Sequence, residues 1–455
     1  MLYRITLPYI DDATDYYGAI ANLPWAIWLD SCGRGRYDIL VAQPVATLVS
    51  QDGYTKISDE TGERISSTDP FILLRETLGR LLPVEPGIKF AGGAMGYWGY
   101  DLTNKESMLS FPDRNQQKIP EMAIGIYDWA IQLDHHDKTA QLVSYRQFPN
   151  TEKSISEIVE KLGNIQHIST QKFEVIGPIT SNFSRDTYAS AFDKVQKYLC
   201  EGDCYQINLA QRFKAKASGD GLSAYCKLRR LSSAPYSAYM SLPQIKILCA
   251  SPERFLQVTQ GQVETKPIKG TRARVADDVQ NGKLVEDLKN NPKDRAENLM
   301  IVDLLRNDLG KNCAAGSIRV PTLFEVESFA TVHHLVSTVT GQLLEGRDAL
   351  ALFKDCFPGG SVTGAPKRRA MEIIRQLEPS NRGIYCGSIG YVGADGNMDC
   401  NIAIRTMVYT EGEISCWAGG GIVADSDESA EYEETLAKAG AMLELLRFYG
   451  GKLDI

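Results

Sequence analysis

The chain has 455 residues, of which 43% are apolar and 23% charged, an ordinary globular mixture long enough to bury a large core over two or three domains. A net charge of −8 at pH 7 argues against nucleic acid and against an anionic membrane surface, both of which select clustered Lys and Arg. The opening residues carry no basic segment followed by a long apolar run, and no stretch of eighteen apolar residues follows, so neither a signal peptide nor a membrane span is expected. The ten cysteines are scattered and form no Cys-x-x-Cys pair, which fits free thiols in a reducing, cytoplasmic compartment.

Residues 1–147 read mainly as β, with apolar runs at 38–49, 90–100 and 123–133 separated by Gly, Pro and Asp clusters. Residues 148–184 are more polar, hold one expected helix at 154–162, and mark a linker. From 185 to 450 both periods occur. Helices are expected at 185–202, 292–309, 366–377 and from 428 to the C-terminus, and strands at 245–250, 262–268, 386–392 and 414–418. No regular βαβ alternation and no Gly-x-Gly-x-x-Gly after a strand appear, which excludes a dinucleotide fold. The expected class is α+β, a large layered β-sandwich with helices packed outside.

Four constellations could carry chemistry. The run Pro-Gly-Gly-Ser-Val-Thr-Gly-Ala-Pro-Lys at 358–367 precedes a helix and could hold an anion on its backbone N–H groups, or be a plain turn. Ala365 and Pro366 stand where a nucleotide-binding phosphate loop needs Lys and Ser or Thr, so that reading fails; Pro366 suits a first helical turn. Asp294 with Glu297, and Glu431 with Glu434, are i, i+3 pairs, each on one helix face. Facing each other they would suit Mg²⁺, but helix-start acidity explains each alone, and Asp425 with Glu428 forms a capping box there. Glu253 and Lys269 could be acid and nucleophile if buried, or an ordinary ion pair and loop lysine. His333 and His334 point opposite ways on a strand, which leaves at most one polar contact to a substrate.

Taken together and in order, these motifs resemble those of the chorismate-binding enzymes. The matching stretches are Gly-Asp-Cys-Tyr-Gln-Ile-Asn-Leu-Ala-Gln at 202–211, then 251–255, 267–271, 294–310, 334–337, 360–367, 404–406, 418–423 and 430–435. Leu23-Pro24-Trp25, 92–101 and 124–129 extend the likeness to the N-terminal region.

The resemblance implies that Mg²⁺ is bound by Glu297 and Glu434, with Asp294 and Glu431 alongside, and holds the ring carboxylate of chorismate. That carboxylate would also meet the backbone of Ser361, Thr363 and Gly364, while Arg405 and the backbone of Gly419, Gly420 and Gly421 would hold the enolpyruvyl carboxylate. His334 would lie by the departing 4-hydroxyl and Glu253 would protonate it.

Two positions sort the family's branches. Gln206, which the resemblance places among the substrate-binding residues, stands where the water-using members carry a lysine that activates water. Lys269 stands where the members that aminate ring C2 usually carry Ala. The resemblance therefore implies amination at C4, on the route to p-aminobenzoate and folate, with Lys269 attacking C2 as a neutral amine and expelling the C4 hydroxyl, after which ammonia adds at C4 and releases the lysine from C2. Lys266 and Arg272 are nearby in sequence as cations that could lower its pKa. The alternatives are C2 amination with pyruvate release, as in anthranilate synthase component I, and a non-catalytic tryptophan-binding paralogue.

No Cys sits in a Gly-x-Cys-x-Gly elbow, so a separate glutamine amidotransferase subunit would supply the ammonia. The resemblance also implies a tryptophan pocket using Ser31, Arg36, Tyr37, Pro235, Tyr236 and Ser237. Leu29-Asp30-Ser31 and 233–237 depart from the pattern of feedback-regulated members, which weighs against inhibition through it.

Overall fold

Apolar side chains occupy both faces of most strands in the larger sheet, which is why its sequence runs are continuous. In Tyr236–Ser241, Ala238 and Met240 enter one core and Tyr239 the other. The computed structural model describes residues 2–105, 118–163, 172–329, 332–410 and 412–454; residues 164–171 of the expected linker lie outside them. It stacks two mostly antiparallel sheets. The 13-stranded sheet runs from Tyr3–Leu7 through Ala26–Asp30, Tyr236–Ser241, Lys246–Ser251 and Glu413–Ile422 to Gln206–Gly219 and Phe173–Ser181. The 12-stranded sheet runs from Ile268–Ala273 and Val332–Gln342 through Arg254–Thr259 and Gly93–Trp98 to Gly62–Ser66. The layered α+β sandwich expected from the sequence is what the chain forms.

Ile27, Met240 and Ile247 of the first sheet pack against Leu48, Ile124 and Leu256 of the second in one core. The outer face of the first sheet is covered by the helices Thr14–Ile20, Thr151–Gly163, Gly221–Leu231 and Glu428–Phe448. The helices Arg185–Cys200 and Lys367–Leu377 close a third cluster over Ile207, Leu209 and Ile422. No described helix is long and apolar enough to cross a membrane.

Strands from both halves of the chain interleave in each sheet. The run 38–49 is two strands in different sheets, Tyr37–Val41 and Ala46–Gln51, and 123–133 likewise divides into Met122–Tyr127 and Ala130–Asp134. The run 262–268 breaks at Pro267, which has no N–H to give a ladder, into Gln262–Thr265 and Ile268–Ala273. Ala46–Gln51 and Tyr54–Asp59 are joined by Asp52-Gly53, both at positive φ (49° and 89°), the geometry a two-residue hairpin asks for.

Three helix details differ from expectation. Pro366 is the N-cap rather than a residue of the first turn, since the helix begins at Lys367. The C-terminal helix is capped by Asp427, which accepts from the Ala430 N–H at 3.0 Å, in place of an Asp425–Glu428 box. It ends at Phe448, and the strand Lys452–Asp454 follows beside Phe173–Ser181.

Candidate active site

The site is built where Gln206–Gly219 and Glu413–Ile422 run side by side, with Asn208 opposite Gly421 and Ala210 opposite Gly419. The glycines there are a matter of room. A Cβ on Gly421 would fall 2.0 Å from Gln206 Nε2, and one on Gly420 would fall 2.8 Å from Glu431 Oε2. Their absence lets the Gln206 side chain lie against the strand and the acidic helix Glu428–Phe448 approach it.

In front lies a cavity of about 640 Å³ that gathers Glu253, Lys269, His334, Ser361, Arg405, Gly419 and Gly421 with Asp294, Glu297, Glu431 and Glu434. Residues far apart in sequence thus converge on one volume. Gln206, Thr363, Gly364 and Gly420 do not line it. Thr363 accepts the Asn208 N–H on its carbonyl at 2.8 Å and Gly364 pairs with Ile207, so both support the wall from behind.

Lys269 sits at an irregularity in the pairing of Ile268–Ala273 with Val332–Gln342, beside Gly270 at φ 80°. Such a bulge re-aims a side chain, here toward the cavity, with Nζ 3.4 Å from the Ser361 carbonyl. Burial pushes its pKa below the usual lysine value against the pull of Glu297, and Lys438 pushes it the same way. The assisting cation is therefore Lys438. Lys266 lines a different cavity, paired with Glu327 at 2.6 Å, and Arg272 is engaged by Asp287 and Asp294.

Glu253 is 6% exposed, accepts a hydrogen bond from Ser361 Oγ at 2.9 Å, and is pushed up to about 6 by burial. A carboxyl at that value holds a proton far better than one in water and can donate it. His334 shares a 2.9 Å hydrogen bond with Thr271 Oγ1 and is pushed down to about 4 by burial and then by Arg405, so its imidazole is neutral. His333 turns away, to Ser328 and Asn281. Arg405 has φ 51°, lines the cavity, and has no carboxylate partner among the described residues. A largely enclosed guanidinium without a counter-ion could receive a ligand carboxylate.

Across the cavity the helices Pro292–Gly310 and Glu428–Phe448 present their acidic pairs. Burial raises the pKa of Glu297, with Glu434 and Asp294 adding to it; burial likewise raises Glu431, with Glu434 adding. Burial also acts to raise Glu434, but Lys438, at 2.6 Å, outweighs it. Glu431 Oε2 is buried with no hydrogen-bond partner. Mutually repelling, partly unsatisfied carboxylates fit a hard divalent cation. Among the described residues no three His, Cys, Asp or Glu close into a preformed metal cluster.

Sequence reasoning missed Asn208, Lys293, Tyr385, Trp417 and Lys438, all lining the cavity. Lys438 had a signal: it lies four residues after Glu434 on one helix, where the two must meet. Asn208 and Gln206 share a strand face and the amide oxygens of both are buried without a protein partner, but only Asn208 lines the cavity, where such a group can meet a ligand.

A second cavity, of about 540 Å³, collects Arg36, Tyr37, Pro235, Tyr236 and Ser237. Ser31, expected in the same pocket, does not line it; it is 2% exposed with its Oγ unpartnered, and Arg36 is held by Asp134 and Asp137. Pro252 and Ile268 line both cavities.

The family model described as chorismate binding enzyme matches residues 25–444. Aminodeoxychorismate synthase component 1 of Klebsiella aerogenes is 45% identical over 450 residues, covering 97% of this chain and 98% of that one. The Escherichia coli protein of the same name is also 45% identical, over 97% and 98%. Anthranilate synthase component 1 of Aquifex aeolicus is 35% identical over 90% and 86%. Among solved structures, anthranilate synthase component I of Streptococcus pneumoniae superposes with a TM-score of 0.80 at 31% identity, covering 90% of this chain and 92% of that one.

Proposed function

The chain belongs to the chorismate-binding enzymes, and from that premise we propose that it aminates chorismate at C4 to give 4-amino-4-deoxychorismate, on the route to p-aminobenzoate. Identity of 45% over nearly the whole chain to two aminodeoxychorismate synthases supports the assignment. The observation that carries it within the site is Lys269, a buried amine of lowered pKa in the same cavity as the proton-holding Glu253 and the unpaired Arg405.

The neutral Lys269 amine attacks ring C2, the ring double bonds shift toward C4, and the C4 hydroxyl leaves as water with the proton of Glu253. Ammonia then bonds to C4, the double bonds shift back, and Lys269 departs from C2. The Glu253 carboxylate takes up the proton that the incoming ammonia gives up, so chorismate and ammonia yield product and water. Arg405 holds a substrate carboxylate, and the neutral His334 hydrogen-bonds near the departing hydroxyl. Glu297 and Glu434, with Asp294 and Glu431 alongside, would hold Mg²⁺, whose charge would anchor the other carboxylate.

Pyruvate tests this reading. C4 amination leaves the enolpyruvyl group in place, so chorismate and ammonium should be consumed with no pyruvate detected by lactate dehydrogenase coupling. Stoichiometric pyruvate would contradict it. Chelation with EDTA should abolish turnover and lower chorismate affinity measured by calorimetry, and added Mg²⁺ should restore both. Unchanged affinity would remove the metal role.

The same proposal includes a separate glutamine amidotransferase as the source of ammonia, in keeping with the component 1 name of the relatives, and a cytoplasmic setting. It also places tryptophan in the second cavity. Calorimetry on protein stripped of bound ligand should give saturable tryptophan binding that Tyr37→Ala weakens at least about tenfold, and absence of heat would discard the idea.

A further inference from the structure

Behind the active-site wall stands an ion pair that the proposed mechanism does not use. Arg382 is 2% exposed and Glu378 4%. They form a forked pair, with Arg382 Nε donating to Glu378 Oε2 at 2.9 Å and Nη2 to Oε1 at 2.6 Å. The remaining donors go to the cavity's own backbone. Nη1 reaches the Val362 carbonyl at 2.9 Å and Nη2 the Asn208 carbonyl at 2.8 Å. Glu378 Oε1 accepts the Ala210 N–H at 2.9 Å. The guanidinium also lies 5.7 Å from the Tyr385 ring centroid and 4.7 Å from that of Tyr100.

Val362, Asn208 and Tyr385 belong to three separate segments and all line the substrate cavity. Glu378 is also the C-cap residue of the helix Lys367–Leu377, which begins where the glycine-rich loop ends. We propose that the Glu378–Arg382 pair is the positioning unit of the chorismate cavity, fixing the loop carrying Ser361, the strand carrying Asn208, and Tyr385 relative to one another. A buried ion pair of this kind adds little net stability compared with apolar residues of similar volume, so fold stability alone does not account for it. Its planar fork satisfies two backbone carbonyls and a carboxylate at once, which a lysine ammonium on a flexible stem does not reproduce. The inference rests on the reading of the cavity as a chorismate site.

The test titrates chorismate calorimetrically, in Mg²⁺ and without ammonia, into the full chain as wild type, as Arg382→Lys, and as the neutral double variant Glu378→Gln/Arg382→Met. Folding at 25 °C is checked by circular dichroism. Both variants should be folded, bind chorismate at least about tenfold more weakly, and lose kcat, while KM for ammonium stays near the wild-type value. Folded variants with wild-type chorismate affinity would overturn the proposal. Loss of the folded state in both would assign the pair to stability and overturn it too. Failure of the wild type to bind chorismate would instead strike the functional reading itself.

Discussion

Replacing Lys269 by alanine should lower 4-amination by at least about 10³-fold while leaving the fold intact, because removing a covalent nucleophile removes a whole pathway rather than one contact. The side chain borders the cavity and makes one long hydrogen bond, to the Ser361 carbonyl, so its loss frees space without breaking the core. The vacated volume lies where C2 of chorismate would be attacked, and direct attack of ammonia there should produce traces of anthranilate. Mass spectrometry of products from wild type and variant at equal folded concentration checks both effects. Unchanged 4-amination would remove the covalent step.

Glu253→Gln should cost about 10²–10⁴-fold in turnover, the range for loss of a general acid, and should stabilise the protein. The sign follows from the pKa. Folding raises this carboxyl from 4.5 to about 6, so its protonated form is favoured in the native state. The contribution is fully present below about pH 4.5 and is lost as pH rises through about 6, where a carboxylate must be held in a buried site. The loss amounts to about 2 kcal/mol. Glutamine has the same shape and never ionises. Denaturant unfolding should therefore give similar stabilities at pH 4.5 and a variant more stable by about 2 kcal/mol at pH 7.5. Equal stability at both pH values would mean that Glu253 is not strained by burial.

The sequence makes the chemistry more legible than the architecture, for physical reasons. Acidic residues at i, i+3 must share a helix face, so spacing alone places the pairs at 294/297 and 431/434, and both meet the same cavity. Lys269 and Glu253 stand out as an amine and a carboxyl that burial could tune, and burial does tune both. The distribution of strands between the two sheets is illegible. Where both faces of a strand are buried, the period-2 signal disappears, and 38–49 and 123–133 each look like one element although each crosses between sheets. The motif around Gln206 suggests a residue of the cavity wall, but its side chain lies behind Gly421, a fact set by close approach between strands and invisible to spacing. Glu378 and Arg382 are spaced i, i+4, but they lie past the end of the helix at Leu377, and the two backbone carbonyls from distant segments that Arg382 reaches leave no residue-type pattern.

The central claim is that this cavity delivers ammonia to C4 and retains the enolpyruvyl group. The most direct test is a product analysis of the purified chain with chorismate, Mg²⁺ and ammonium at mildly alkaline pH, read by mass spectrometry. The account predicts a product with the mass of 4-amino-4-deoxychorismate, converted to p-aminobenzoate when a lyase is added. Anthranilate with one equivalent of pyruvate would contradict it and reassign Lys269 from nucleophile to bystander.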